Sequence, residues 1–269
     1  MDRAALDAAY NNSAAVRDSA AIVAEWDRRS TAFAAMHAQH LDLRYGPRER
    51  NRIDYFPATS RGGPVLVFIH GGYWQMRAKE NFRFVAQGPL AHGIDVALIA
   101  YTLAPDATLT DIVAETHAAL TWLAGNLGNL GGDAQRIYVS GWSAGGHLTA
   151  MSMTHPAVRG GLAISGIYDL EPIRLSYLDA KLQLTEDEVE RLSPLRSVTT
   201  IARPLVIAYG TAELPELQRQ SAEYAAALAR TGGSATLAPL AGHDHFSVME
   251  ELADPNGTLA ALAVKLCAC

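Results

Sequence analysis

A serine stands between glycines in Gly141-Trp142-Ser143-Ala144-Gly145, where the apolar run 136–140 meets a helix-forming run, 146–151. Strand, sharp turn and helix, with a serine at the turn, is the arrangement that holds up a hydroxyl for attack on a carbonyl carbon. The flanking glycines fit that geometry, because a residue in a strained turn needs neighbours without Cβ atoms if strand and helix are to close on each other. Upstream, the β-branched and aromatic run 64–69 reads as a strand buried on both faces and ends in His70-Gly71-Gly72-Tyr73-Trp74. Backbone N–H groups of so glycine-rich a turn can point at an anion. Gly71, Gly72 and Tyr73, with Ala144 after the serine, are therefore candidate oxyanion-hole residues. The plain alternative is an ordinary strand-ending turn.

A serine hydroxyl is a weak nucleophile near neutral pH and needs an adjacent base, itself oriented by a third group. Gly242-His243-Asp244-His245-Phe246 offers two imidazoles directly after the last expected strand. His-x-His is also a metal-ligand spacing. No further cluster with ligand spacing accompanies it, so neither a metal nor a cofactor is expected. For the acid, Glu213 stands in the turn after the strand that ends at Gly210, with Asp169, Asp244 and Glu216 as rivals.

These side chains need a scaffold, and the rest of the chain reads as one. Residues 14–39 are alanine-rich with apolar residues at loosely helical spacing, and Trp26 is expected as a core anchor. Residues 41–45 and 52–56 alternate apolar and polar as an edge hairpin would. Strands at 65–69, 94–100, 136–140, 161–165, 204–209 and 235–239 then alternate with helices near 79–92, 108–127, 146–151, 215–230 and 259–266. A Gly/Asn-rich stop at 125–132 should close the second of those helices. Such alternation implies a mostly parallel central sheet of about eight strands flanked by helices. Residues 171–200 are polar, helix-prone and strandless, and are expected to form a small helical cap. The expectation is a single domain, 1–269, with an N-terminal helical segment 1–40 and a cap-like insertion 171–200.

Composition excludes several function classes. Hydrophobic residues at 49% and charged residues at 19% allow a sizeable core. A net charge of −6, with no basic run, argues against a nucleic-acid surface. No apolar stretch reaches the roughly 18 residues needed to span a membrane, and the acidic N-terminus lacks signal-peptide character. The two cysteines, Cys267 and Cys269, lie one residue apart at the end of the sequence and are expected as frayed tail thiols. A reducing, cytoplasmic location fits. A small-molecule substrate is the expected partner, with a homodimer left open.

His70-Gly-Gly-Tyr-Trp74, Gly141-Trp-Ser-Ala-Gly145, Ser165-Gly-Ile-Tyr-Asp-Leu170 and the stretch from Glu213 to Ser221 together resemble the kynurenine formamidase (arylformamidase) branch of the α/β-hydrolase superfamily, neighbour to the hormone-sensitive-lipase-like esterases. The resemblance runs over residues 45–252, and its last two motifs are the more particular to this branch. It implies an α/β-hydrolase fold and a triad of Ser143, Glu213 and His245. The formamidase-like pattern sets the base immediately before Phe, which selects His245 over His243. Members commonly carry Asp where this chain has Glu213. The implied substrate is an aryl formamide such as N-formyl-L-kynurenine, cleaved through an acyl-enzyme. Tyr73, Trp74, Trp142 and Tyr168 would then set aromatic rings near the serine, as substrate-binding residues or as packing that supports the loops. A broad short-acyl carboxylesterase and a non-catalytic hydrolase-fold binding protein are the alternatives.

Overall fold

The computed structural model describes residues 2–198 and 202–268. In chain order it contains α1 (Arg3–Ala9), α2 (Asn12–Ala15), α3 (Ser19–Met36), β1 (Leu43–Arg44), β2 (Arg52–Phe56) and β3 (Val65–Ile69). A 3-10 segment, Lys79–Ala86, leads into α4 (Gln87–Ala91), followed by β4 (Asp95–Ile99), α5 (Leu109–Leu130), β5 (Ile137–Trp142), α6 (Ala144–Ser152) and β6 (Val158–Ile164). Three short helices, α7 (Glu171–Arg174), α8 (Asp179–Leu182) and α9 (Glu186–Leu192), precede β7 (Leu205–Gly210), α10 (Pro215–Arg230), β8 (Ala235–Leu240), α11 (Glu250–Ala253) and α12 (Thr258–Cys267).

The strands form an eight-stranded sheet in the order β1-β2-β4-β3-β5-β6-β7-β8. β1 and β2 run antiparallel at one edge, and every pairing from β4 onward is parallel. All residues of β3, β4 and β5 are buried, as strands covered by helices on both faces must be. Alternate side chains enter two separate cores. Val65, Val67 and Ile69 join α5, α6 and α10 on one face, while Leu66 and Phe68 join α3 and α12 on the other. Trp26 anchors that second core as expected, its ring between Phe82 at 5.7 Å and Phe84 at 5.4 Å and edge-on to Trp142 at 5.6 Å.

Three local readings need correction. The segment after residue 78 begins as a 3-10 helix, because Lys79, Phe82 and Val85 must all face inward and recur every three residues. α5 runs through Gly125 and Gly128 to Leu130. A Cβ at either glycine would meet only open space, so both lie on the outer face while Leu127 anchors the turn inside, and Gly131 at φ 94° ends the helix. Cys267 is buried on α12 and belongs to the second core, because the helix carries its apolar face up to that residue. Cys269 lies outside the described residues, as do 199 and 200 at the end of the expected insertion. Residues 3–9 form α1 within the expected N-terminal helical segment, buried only through Leu6.

A parallel sheet delivers all its carboxyl ends to one edge, where crossover loops leave a crevice. In this chain the turns after β3, β5, β6, β7 and β8 meet there.

Candidate active site

Ser143 occupies the turn between β5 and α6 at φ 58°, ψ −117°, a conformation that costs a non-glycine residue on the order of 1–3 kcal/mol. The surrounding backbone enforces it. The Ser143 N–H donates to the Ile164 carbonyl at 2.8 Å, and the Ser143 carbonyl accepts from Gly146 and His147 at 2.8 and 3.1 Å. A Cβ at Gly145 would stand 2.0 Å from the Ile69 carbonyl oxygen, so only glycine lets α6 press directly onto β3. The N-terminus of α6, with its outward N–H groups, thus begins at the serine.

His245 follows β8, and its Nδ1 lies 2.9 Å from Glu213 Oε2 in the turn after β7. With the Nδ1–H donating to the carboxylate, Nε2 is left as the acceptor atom. The other carboxylate oxygen, Oε1, accepts from Ser165 Oγ at 2.5 Å and from the Gly210 N–H at 2.7 Å. Three donors therefore hold a carboxylate that is fully buried. Ser165 had no role in the sequence reading. Its signal is positional, at the end of β6 beside β7, and its φ of 51° marks a second strained turn. The His245 ring packs on Trp142 with centroids 4.7 Å apart, and the Trp142 indole N–H donates to the His245 carbonyl at 2.8 Å.

The rival groups are engaged elsewhere. His243 Nε2 lies 3.4 Å from Glu251, and the Asp244 carboxylate accepts from the N–H groups of Phe246 and Ser247. Asp169 pairs with Arg196 at 3.0 Å and Glu216 with Arg219 at 2.7 Å.

The turn after β3 carries three successive residues in the left-handed region, Gly72 at φ 113°, Tyr73 at 49° and Trp74 at 57°. A Cβ at Gly72 would stand 2.2 Å from the Met76 carbonyl oxygen, and one at Gly71 would stand 3.1 Å from Ser143 Cβ. The glycines let this loop close tightly on itself and against the serine. Among the described residues, no protein acceptor takes the N–H groups of Gly72, Tyr73 or Ala144. They are available to an oxyanion.

The four aromatic candidates are all buried. Trp74 meets His147 edge-on at 5.0 Å, Tyr168 stacks on Tyr224 at 4.6 Å, and Trp142 fills the space beneath His245. Tyr73 turns its phenol to the N-terminal segment, donating to the Tyr10 carbonyl at 2.6 Å and accepting from Asn12 Nδ2 at 2.9 Å. Ser143 and His245 are themselves only 2% and 3% exposed, so the site is closed over.

Two further imidazoles support the turns. His70 Nδ1 lies 2.8 Å from the Gly71 carbonyl and the ring stacks on Tyr101, while His147 Nε2 lies 2.7 Å from the Leu192 carbonyl. Burial, which strips hydration from a charged ring, pushes His70 down to about 3 and His147 down to about 4, from 6.5. Both stay neutral in the folded chain while their unfolded counterparts take up protons below about pH 6.5. The unfolded state binds more protons in that window, so their contribution to stability is complete above about pH 6.5 and is lost as pH falls toward 4. We expect the urea midpoint to fall between pH 7 and pH 4. His147→Gln, whose amide N–H can still reach Leu192, should make that fall shallower. An unchanged pH slope in the variant would remove His147 from the effect.

The family model BD-FAE matches residues 54–160. A kynurenine formamidase from Danio rerio is 31% identical over 241 residues, spanning 84% of this chain and 81% of its own. A solved structure from Silicibacter sp. superposes with a TM-score of 0.86 at 28% identity, covering 95% of this chain and 97% of the other. The Pyrobaculum calidifontis esterase shares the fold, with a TM-score of 0.75 at 18% identity over 100% of this chain and 98% of its own.

Proposed function

Because the chain belongs to the kynurenine formamidase family of α/β-hydrolases, we propose that this hydrolase cleaves an aryl formamide of the N-formyl-L-kynurenine type through a formyl-enzyme on Ser143. The observation that carries the reading is the buried Glu213–His245 pair at the same sheet edge as the strained Ser143. In the first step Ser143 Oγ attacks the formyl carbon while His245 Nε2 takes its proton. Glu213 keeps the imidazole in the required tautomer and stabilises its charged form. The N–H groups of Gly72, Tyr73 and Ala144 receive the oxyanion, and Gly71 sets the turn that presents the first two. Collapse of the tetrahedral intermediate breaks the C–N bond, and His245 returns the proton to the departing arylamine. Water, deprotonated by His245, then attacks the formyl ester, and formate leaves as Ser143 recovers its proton.

Formyl is the smallest acyl group, and a serine 2% exposed suits it better than a bulky one. The buried rings of Trp74, Trp142 and Tyr168 support the loops. Cytoplasmic location is part of the same reading. It accords with the acidic chain and with the absence, among the described residues, of any helix long and apolar enough to cross a membrane.

The test is product balance with N-formyl-L-kynurenine. Formate and arylamine should appear in equal amounts, at a rate unchanged by chelators. Loss of turnover on chelation would replace the serine mechanism with a metal-dependent one, and failure to release formate would reject the substrate class.

A further inference from the structure

The three-residue run of positive φ at Gly72, Tyr73 and Trp74 leaves the loop without a regular hydrogen-bond ladder. Its backbone closes mainly on itself, with the N–H groups of Gln75 and Met76 both donating to the Gly72 carbonyl at 3.0 Å. One backbone contact, Ala104 N–H to the Trp74 carbonyl at 2.9 Å, ties it outward. What fixes Tyr73 is its side chain. The phenol has one proton to give and an oxygen that accepts, and both capacities go to the N-terminal segment: the O–H to the Tyr10 carbonyl and the oxygen to Asn12 Nδ2. Burial holds that phenol well above its ordinary value, so it stays a neutral O–H donor.

The N-terminal segment is itself moored to the other side of the crevice. Gln220 Nε2 on α10 donates to the Tyr10 hydroxyl at 2.8 Å, and Gln220 Oε1 accepts from the N–H groups of Tyr168 and Asp169 at 2.6 and 2.8 Å. Tyr10 and Gln220 are both wholly buried and Asn12 is 4% exposed, so these bonds lie shielded from water. Asp7 on α1 adds a link to the residues after α7, accepting from the Tyr177 N–H at 2.7 Å.

We propose that Tyr10 and Asn12 are positioning residues for the oxyanion hole: through the Tyr73 phenol they hold the Gly72-Tyr73 turn in the conformation that aims its N–H groups at the reaction centre. The segment that precedes the first strand is on this view a working part of the site. It sets donor geometry that matters when charge develops, and it leaves substrate binding untouched. The inference rests on the serine reading above, and its test keeps the two separable.

The experiment compares wild type, Asn12→Ala, Tyr73→Phe and the double variant with N-formyl-L-kynurenine as substrate. A serine-directed fluorophosphonate is used to label the wild type, and an aryl trifluoromethyl ketone serves as a tetrahedral-adduct probe. Tyr73→Phe keeps the ring and its packing, so it reports even if Asn12→Ala fails to fold. Misaiming a donor should cost less than the roughly 100- to 1,000-fold of deleting one, so each variant should lose about 10-fold in kcat with KM changed little. The double variant should be no worse than the poorer single, because both act on one phenol. Ketone affinity should fall by the same factor as kcat/KM. Variants that turn over at the wild-type kcat, whatever their Tm, would overturn this inference alone. A wild type that the fluorophosphonate does not label at Ser143 would overturn the serine reading and this inference with it.

Discussion

Ser143→Ala should lower kcat on the best substrate by roughly a million-fold, the loss expected when the nucleophile of a serine, histidine and acid set is removed. On the proposed mechanism the variant would have no oxygen to form the acyl-enzyme. What should survive is the modest acceleration from binding and from the N–H groups of Gly72, Tyr73 and Ala144, acting on direct attack by water. The fold should persist, because the turn is fixed by backbone bonds from Ser143 to Ile164, Gly146 and His147 that alanine keeps. Single-turnover kinetics together with circular dichroism checks both halves of the statement. Substantial turnover by a well-folded Ser143→Ala protein would move the chemistry to another group.

The second large effect is at the acid. Glu213→Gln is nearly isosteric, yet it should lower kcat by about 10⁴-fold. The reason lies in the donors around it. Ser165 Oγ and the Gly210 N–H both donate to Glu213 Oε1, so a glutamine must leave its carbonyl there and turn its NH₂ toward His245 Nδ1. An amide that donates to Nδ1 forces the imidazole proton onto Nε2, the atom required to accept the serine proton. The base is then present but in the wrong tautomer. KM should change little, since Glu213 is buried and would act only through the His245 ring. The pair of measurements is kcat and KM for Glu213→Gln beside Asp169→Asn. A variant at Asp169 that loses as much as the one at Glu213 would refute the assignment of the acid, because Asp169 is held by Arg196 and lies off the histidine.

Much of the scaffold was legible because a sheet covered on both faces demands continuous apolar runs. Residues 65–69, 94–100 and 136–140 have no other reading. Helix ends were less legible. Gly125 and Gly128 look like a stop in a one-dimensional pattern, and only the outward direction of both positions explains why α5 continues past them. Within the N-terminal helical segment the bounds of Arg3–Ala9 left no mark, since a helix that buries one leucine has no stripe to detect. At the site, the chain shows which residues end each strand, and so which turns gather at the carboxyl edge. It does not show who holds whom. Ser165 meets Glu213 across 48 residues and Asn12 meets Tyr73 across 61, and neither pairing leaves a local pattern. The aromatic residues stayed open to two readings for a related reason. A ring beside a nucleophile in sequence can serve the substrate or the floor beneath the base, and Trp142 takes the floor.

The most direct measurement compares kcat/KM for N-formyl-L-kynurenine and for p-nitrophenyl acetate on the same preparation, with Ser143→Ala as the blank. A dedicated aryl formamidase should favour the formamide by at least ~100-fold, equivalent to about 2.7 kcal/mol of differential transition-state binding. An ester value above that of the formamide would contradict the account and make the chain a short-acyl esterase.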